Sequence, residues 1–244
     1  MDAKKIVMYV AIVIAVYIVL RLVFDNTSKS TLVRLHNAKI ETVIPADKLP
    51  KSPANDFAYS IWIYVEDWNY KYGEEKIIFR RMITGGQNSP MVSFNANKNN
   101  LKVHVETYQG GGQGGSEGKD CIIDNIPLQK WTHLVVTTYN NTIDTYLDGK
   151  LVKSCLLDGV PKVKADSPLM LTPKNGTGGD NDLAGFGGYV RQFQYFSKTL
   201  NPREVYEIYK LGPKGGFDLG GIFDRYKMKF SFMKDNLEVT GFEI

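Results

Sequence analysis

Asp180, Asn181 and Asp182 are the residues best suited to holding a hard cation. They sit in the polar run KNGTGGDNDLAGFGG over 174–188. Carboxylate and amide oxygens, with carbonyls freed by neighbouring glycines, are the donors calcium prefers. The spacing is not that of an EF-hand loop, so the run also reads as a solvated loop whose acids face water. The other titratable groups do not assemble into a reaction centre. Glu66-Asp67 and Glu74-Glu75 are adjacent pairs, and neighbours on a strand point to opposite faces. Of the three histidines, His36 precedes the β-rich region, and His104 and His133 fall in strand-like runs. No Ser/His/Asp set is suggested. The Gly-rich run GGGQGGSEG (110–118) has no Lys-Ser/Thr and opens no helix, so it reads as a flexible loop rather than a phosphate cradle. Cys121 and Cys155 lack metal-ligand spacing, which argues against structural zinc, and two cysteines exclude a disulfide-dense scaffold. Neighbouring strands can bring the two together. A bridge closing about 34 residues would contribute roughly 3–4 kcal/mol, whereas a reducing cytosol would keep both as thiols. Asn26, Asn140 and Asn175 each begin an Asn-x-Ser/Thr sequon, which matters only in a glycosylating compartment.

The elements that must position these groups are mostly strands. The chain has 244 residues, 43% of them apolar, enough for one large β domain with extensions or for two small domains. Its net charge of +4 forms no dense basic stripe, so nucleic acid is not an expected partner. From Phe57 the pattern has period two. FAYSIWIYV (57–65) is β-branched and aromatic on both faces, as a central strand is. Strands are also expected over 75–83, 90–96, 101–108, 168–173 and 188–196. Residues 131–155 read as a three-stranded meander. Its turns are Asn140-Asn141 and Asp148-Gly149, both tolerant of the positive φ of a type I′ turn. One helix interrupts the series: Asn201 caps it, Pro202 opens it and Glu204 completes a capping box. Gly212-Pro213 stops it. The fold class is therefore all-β, an antiparallel two-sheet sandwich with one short helix.

Residues 6–20 (IVMYVAIVIAVYIVL) are uninterrupted apolar sequence. A helix of about 19 residues reaches about 29 Å, close to the hydrocarbon thickness of a bilayer. A cleaved signal peptide is the competing reading. The apolar core is longer than a typical h-region, and Asp25-Asn26-Thr27 is a poor cleavage site, so residues 1–24 are expected to be a retained single-pass anchor. Lys4 and Lys5 favour a cytoplasmic amino terminus, while Arg21, Lys29 and Arg34 flank the other end. Residues 25–54 read as a stalk, with a short strand near 39–44. After the sandwich, 214–244 form a tail with paired glycines and Phe217, Phe223, Phe230 and Phe232. The run MKFSF reads as a strand. It suits an extra strand on its own sandwich, and equally an arm added to a neighbour's sheet edge.

Three segments resemble the laminin-G-like and pentraxin-like branch of the concanavalin A-like lectin/glucanase superfamily. They are FAYSIWIYV, KWTHLVVTTYNNTIDTYLDGKLV (130–152) and GFGGYVRQFQYFSKTLNPREVYEIYKLG (185–212), in the family's order and spacing. The resemblance covers roughly 55–213 and implies a jelly-roll sandwich that binds carbohydrate or protein, often with calcium. It gives Trp131, Tyr146, Asp148 and Gly149 structural roles: Trp131 plugging the sandwich edge, Tyr146 packing across strands, Asp148-Gly149 making the turn. His133 matches the family's W-x-h position, which implies packing. Related glucanases carry Glu-x-Asp-x-(x)-Glu on one strand, giving a nucleophile and an acid. This sequence has no such pattern, so no enzyme is expected. Anchored, single-domain versions resemble virion proteins of large DNA viruses of algae and protists. The resulting expectation is a membrane-anchored minor capsid component that contacts capsid proteins. The alternative is a surface lectin taking glycan with the help of calcium at Asp180, Asn181 and Asp182.

Overall fold

A computed structural model describes residues 9, 12, 14–17, 29–51, 56–83, 86–108, 116–175, 183–215, 229–234 and 237–243. The chain is an all-β sandwich of two antiparallel sheets, with a short helix at Pro202–Lys210. The candidate membrane span lies largely outside the described residues. Those described within it, residues 9, 12 and 14–17, are helical. No helix among the described residues is long and apolar enough to cross a membrane.

The six-stranded sheet runs β1 (Lys29–Asn37), β13 (Gly187–Phe196), β3 (Ala58–Asp67), β8 (Trp131–Tyr139), β9 (Thr142–Leu147), β10 (Lys150–Leu156). The second sheet runs β11 (Val160–Pro161), β6 (Leu101–Tyr108), β5 (Asn88–Phe94), β4 (Lys76–Met82), β12 (Leu169–Leu171), β2 (Thr42–Ile44). β7 (Ser116–Ile123) lies along the whole of β6. Strand alternation sends one side chain in two to the interface between the sheets. There Tyr59 packs against Phe79 at 4.9 Å and Tyr195 at 5.0 Å, and Phe79 against Phe193 at 5.2 Å. Arg81 lies in this layer too. Its guanidinium donates to the carbonyls of Ser167 and Ala165, at 3.2 and 2.6 Å, and sits over the Tyr195 ring. Burial pushes the Tyr59 phenol above its ordinary range, against the opposing pull of Arg81, so the hydroxyl stays neutral.

Three expectations change. The described part of the stalk is folded: β1 pairs with β13 from Lys29↔Phe196 to Asn37↔Tyr189, and β2 pairs with β12. Its mixed polar sequence is that of sheet-edge strands, which need only one covered face. The Gly-rich loop is also shorter than expected, because Ser116–Ile123 is a strand held by β6. In the tail, β14 (Lys229–Lys234) pairs with β15 (Leu237–Glu243) as a separate hairpin, with Phe230 opposite Phe242 and Phe232 opposite Thr240. Phe217 and Phe223 lie outside the described residues.

Cys121 on β7 and Cys155 on β10 form a disulfide with their Cα atoms 6.1 Å apart. It ties one sheet to the other at their shared margin. Replacing both cysteines by serine should lower stability by roughly 3–4 kcal/mol through the larger entropy of the unfolded chain. Urea unfolding under oxidising conditions checks this, and an unchanged midpoint would mean the bridge constrains nothing.

Candidate functional site

The outer face of the six-stranded sheet carries the motif residues, and its local rules are visible in the chain. Asp148 and Gly149 both have positive φ, 47° and 77°, as a type I′ turn requires. At the other hairpin only Asn140 does, at 51°. Asp148 Oδ1 accepts the backbone N–H of His133 at 2.9 Å, and Oδ2 accepts the Lys130 ammonium at 3.0 Å. The carboxylate thus staples the meander's turn to the strand two elements back. Gly149 also meets the helix: a Cβ there would stand 3.0 Å from the Tyr209 ring and 3.1 Å from the Tyr206 ring.

That helix, α1 (Pro202–Lys210), starts at a complete capping box. Asn201 Oδ1 accepts from Glu204 N, and Glu204 Oε2 accepts from Asn201 N, both at 2.9 Å. It lies on the sheet's outer face. Val205 and Leu200 pack there with Ala58, Val135, Tyr146 and Phe196. Tyr209 stacks on Trp62 at 5.7 Å, and Trp62 lies 4.9 Å from the His133 ring. His133 is fully buried and shares a 2.9 Å hydrogen bond with Ser60 Oγ. Burial lowers its pKa to about 4, only partly opposed by the charge of Asp148, so the imidazole is neutral. It packs in this site as a neutral ring.

Beyond the end of α1 the described residues leave the face partly exposed. Tyr189, Tyr64 and Trp131 stand directly opposite one another on β13, β3 and β8, with Asn37 on β1 completing the row. Tyr64 and Trp131 pack at 5.4 Å, both half-buried, and Tyr189 is 38% exposed. The next row is Leu35, Arg191, Trp62 and His133. A bulge follows in β13, where Gln192 takes φ 47° and its side-chain amide donates to Lys214 O. The structure therefore puts Trp131 in a cross-strand aromatic row and Tyr146 under the helix. Sequence reasoning missed Tyr64, Tyr189 and Arg191 as its companions. Their common signal is period-two placement on outward positions, but the register between strands is not local information.

A second exposed feature is β10, an edge strand of the six-stranded sheet. Leu151, Val152 and Leu156 on it are 52, 44 and 66% exposed. On the outer face of the other sheet, His104 bridges Asp120 at 2.6 Å and Glu106 at 3.1 Å. Asp180, Asn181 and Asp182 lie outside the described residues. At the start of their loop Asn175 Oδ1 accepts the Lys71 ammonium at 3.0 Å, so a cation of the chain itself serves this oxygen. No group of three or more metal-ligating side chains is present among the described residues.

Comparison with known proteins agrees with this architecture. The laminin G family model described as "Concanavalin A-like lectin/glucanases superfamily" matches residues 38–206. No curated protein matches the chain. Among solved structures, the receptor-binding domain of botulinum neurotoxin C/D mosaic serotype is 15% identical with a TM-score of 0.53, covering 75% of this chain and 42% of that one. The receptor-binding domain of botulinum neurotoxin D is 18% identical with a TM-score of 0.51, covering 70% and 41%. The binding domain of botulinum neurotoxin DC in complex with rat synaptotagmin II is 11% identical with a TM-score of 0.52, covering 75% and 46%. The match spans less than half the length of those chains and is a likeness of fold.

The depressed pKa of His133 has a consequence for stability. Between about 4 and its ordinary 6.5 the unfolded chain binds a proton that the fold refuses. This contribution is complete above that window and is lost as pH falls through it, by about 3 kcal/mol at the acid end. Urea midpoints at pH 7 and 4.5 should diverge in the native chain and converge in His133→Gln. An equally steep loss in the variant would place the titrating group elsewhere.

Proposed function

Since this chain belongs to the concanavalin A-like lectin/glucanase superfamily, we propose that it is a non-catalytic binding protein, tethered to a membrane by residues 1–24 and making protein–protein contacts in an assembly. The observation that carries the reading is the β10 edge. An unpaired strand edge presents a row of backbone N–H and C=O groups, and apolar side chains beside it reward a partner that adds a strand. Leu151, Val152 and Leu156 offer such a surface, and the Cys121–Cys155 bridge holds the strand in place for it. The Phe-containing tail suits the same purpose: burying one phenylalanine contributes about 1.5–3 kcal/mol. A membrane-to-capsid role in a virion is the setting we favour, on the uninterrupted apolar span at 6–20.

The titratable groups on the motif face support the non-catalytic reading. Asp148 is held by a backbone amide and by Lys130, and His133 is sealed under Tyr209. The neurotoxin structures of similar fold are receptor-binding domains, one in complex with rat synaptotagmin II, which supports a binding role. A second reading is a surface lectin, favoured by the Tyr189–Tyr64–Trp131 row. Calcium at Asp180, Asn181 and Asp182 would belong to that reading.

Two measurements test the proposal. The full chain should stay with membranes through an alkaline carbonate wash and leave with detergent, whereas a chain lacking residues 1–24 should be soluble and folded. A truncated chain that still pellets after carbonate would overturn the anchor. Leu151→Lys with Leu156→Lys should abolish chemical cross-linking to the native partner. Both sites are exposed, so the change in stability should stay within about 0.5 kcal/mol per site. Retained cross-links would overturn β10 as the contact.

A further inference from the structure

We propose that the row Tyr189–Tyr64–Trp131, with Arg191 beside it, is a binding site for an acidic pyranose glycan. In this site the sugar's C–H face lies on the aromatic rings and its carboxylate pairs with the Arg191 guanidinium. This rests on the glycan-binding reading of the face and gives it a ligand class.

The geometry comes from the sheet. Three neighbouring strands spaced about 4.8 Å apart put the outer two side chains of the row about 10 Å apart. Tyr189, Tyr64 and Trp131 occupy that row in register and remain partly exposed. An aromatic ring gives a flat apolar surface, and the tyrosine hydroxyl and indole N–H add polar tips at the rim. A pyranose has the complementary form: one face of C–H bonds, and hydroxyl groups around its edge.

The charge comes from Arg191. Alternation puts it on the same face as Tyr189, and it stands opposite Trp62. It is half-buried, and its Nε is enclosed without a hydrogen-bond partner. Its side chain makes no hydrogen bond or ion pair with any described residue. The neighbouring cation on this face, Lys130, is already paired with Asp148. An unpaired, partly desolvated guanidinium favours an anion, and its planar fork matches a carboxylate with two parallel hydrogen bonds. Charge complementarity therefore selects an acidic ligand over a neutral one.

Size argues for a sugar over a protein on this patch. A stable protein interface covers roughly 800 Å² per partner. Three half-covered aromatic side chains, each with at most about 150–250 Å² to bury, fall well short of that. α1 closes the face on one side through Trp62 and Tyr209, so the open area does not extend under it.

The test uses the full chain in detergent micelles, with a sialylated trisaccharide and a trigalacturonate as acidic probes and lactose and maltotriose as neutral ones. At least one acidic probe should bind roughly tenfold more tightly than its neutral counterpart by titration calorimetry. Arg191→Gln should erase that ratio. Tyr64→Ser should weaken all binding. Tyr189→Ser, at the more exposed position, does the same if Tyr64→Ser fails to fold. Which acidic probe binds distinguishes a sialylated glycan from a uronate polymer. The site is overturned if no probe binds at ~10 mM, if the acidic preference survives Arg191→Gln, or if Tyr189→Ser binds normally. A chain that binds no sugar yet loses its cross-links with Leu151→Lys and Leu156→Lys would overturn this site and leave the protein-contact function standing.

Discussion

Strand β3 is covered on both faces, and the arrangement of the molecule follows from that requirement. Tyr59, Ile61, Ile63 and Val65 fill the space between the sheets, while Ala58, Ser60 and Trp62 on the other face are equally buried. A sandwich sheet normally leaves its outer face to water. Here an aromatic outer face has to be covered, and the covering comes from α1. Val205, Leu200 and Tyr209 supply the apolar surface, and the capping box fixes where the helix begins. α1 has only nine residues. It reaches Trp62 and His133 but not the next row, so Tyr64, Trp131 and Tyr189 remain partly open. The candidate binding face is thus the part of an aromatic sheet surface that its covering helix is too short to seal.

The polar groups caught in this packing are handled by three different means. His133 becomes neutral and bonds Ser60. Arg81, between the sheets, keeps its charge by donating to two loop carbonyls and lying over a tyrosine ring. Lys76, buried over the Trp68 ring, is pushed below its ordinary pKa by burial and then by the charge of Lys71. Each arrangement fixes a loop or a neighbouring strand. A buried polar group without partners is costly, so the partners cannot drift. At the margin the Cys121–Cys155 bridge gives β10 what packing does not, since five of its first five residues are exposed.

Much of the sandwich was legible because its signals are local. The two-faced apolar run 57–65, the Asp148-Gly149 turn and the Asn201-Pro202-x-Glu204 cap each state their structure within a few residues. What was not legible depends on distant pairing. Lys29–Asn37 looks like a stalk until β13 lies beside it, more than 150 residues away in the chain. Ser116–Gly118 looks like loop because its β-strand character comes from β6. The candidate site was hidden for the same reason. Trp131 stood out through its motif, but Tyr64 and Tyr189 join it only through strand register. Arg191 gains its importance from having no hydrogen-bond partner among the described residues, which no sequence pattern records.

The outer face divides into a sealed half that holds the fold and a half that stays partly exposed. Urea unfolding of Trp62→Ala, Tyr64→Ala and Tyr189→Ala tests it most directly. The sealed half should be expensive to disturb: Trp62→Ala should cost about 3–5 kcal/mol, as removal of a buried aromatic does. Tyr189→Ala should cost no more than about 1 kcal/mol, and Tyr64→Ala should fall between the two. Equal losses at Trp62 and Tyr189 would contradict the division and make the open row part of the core.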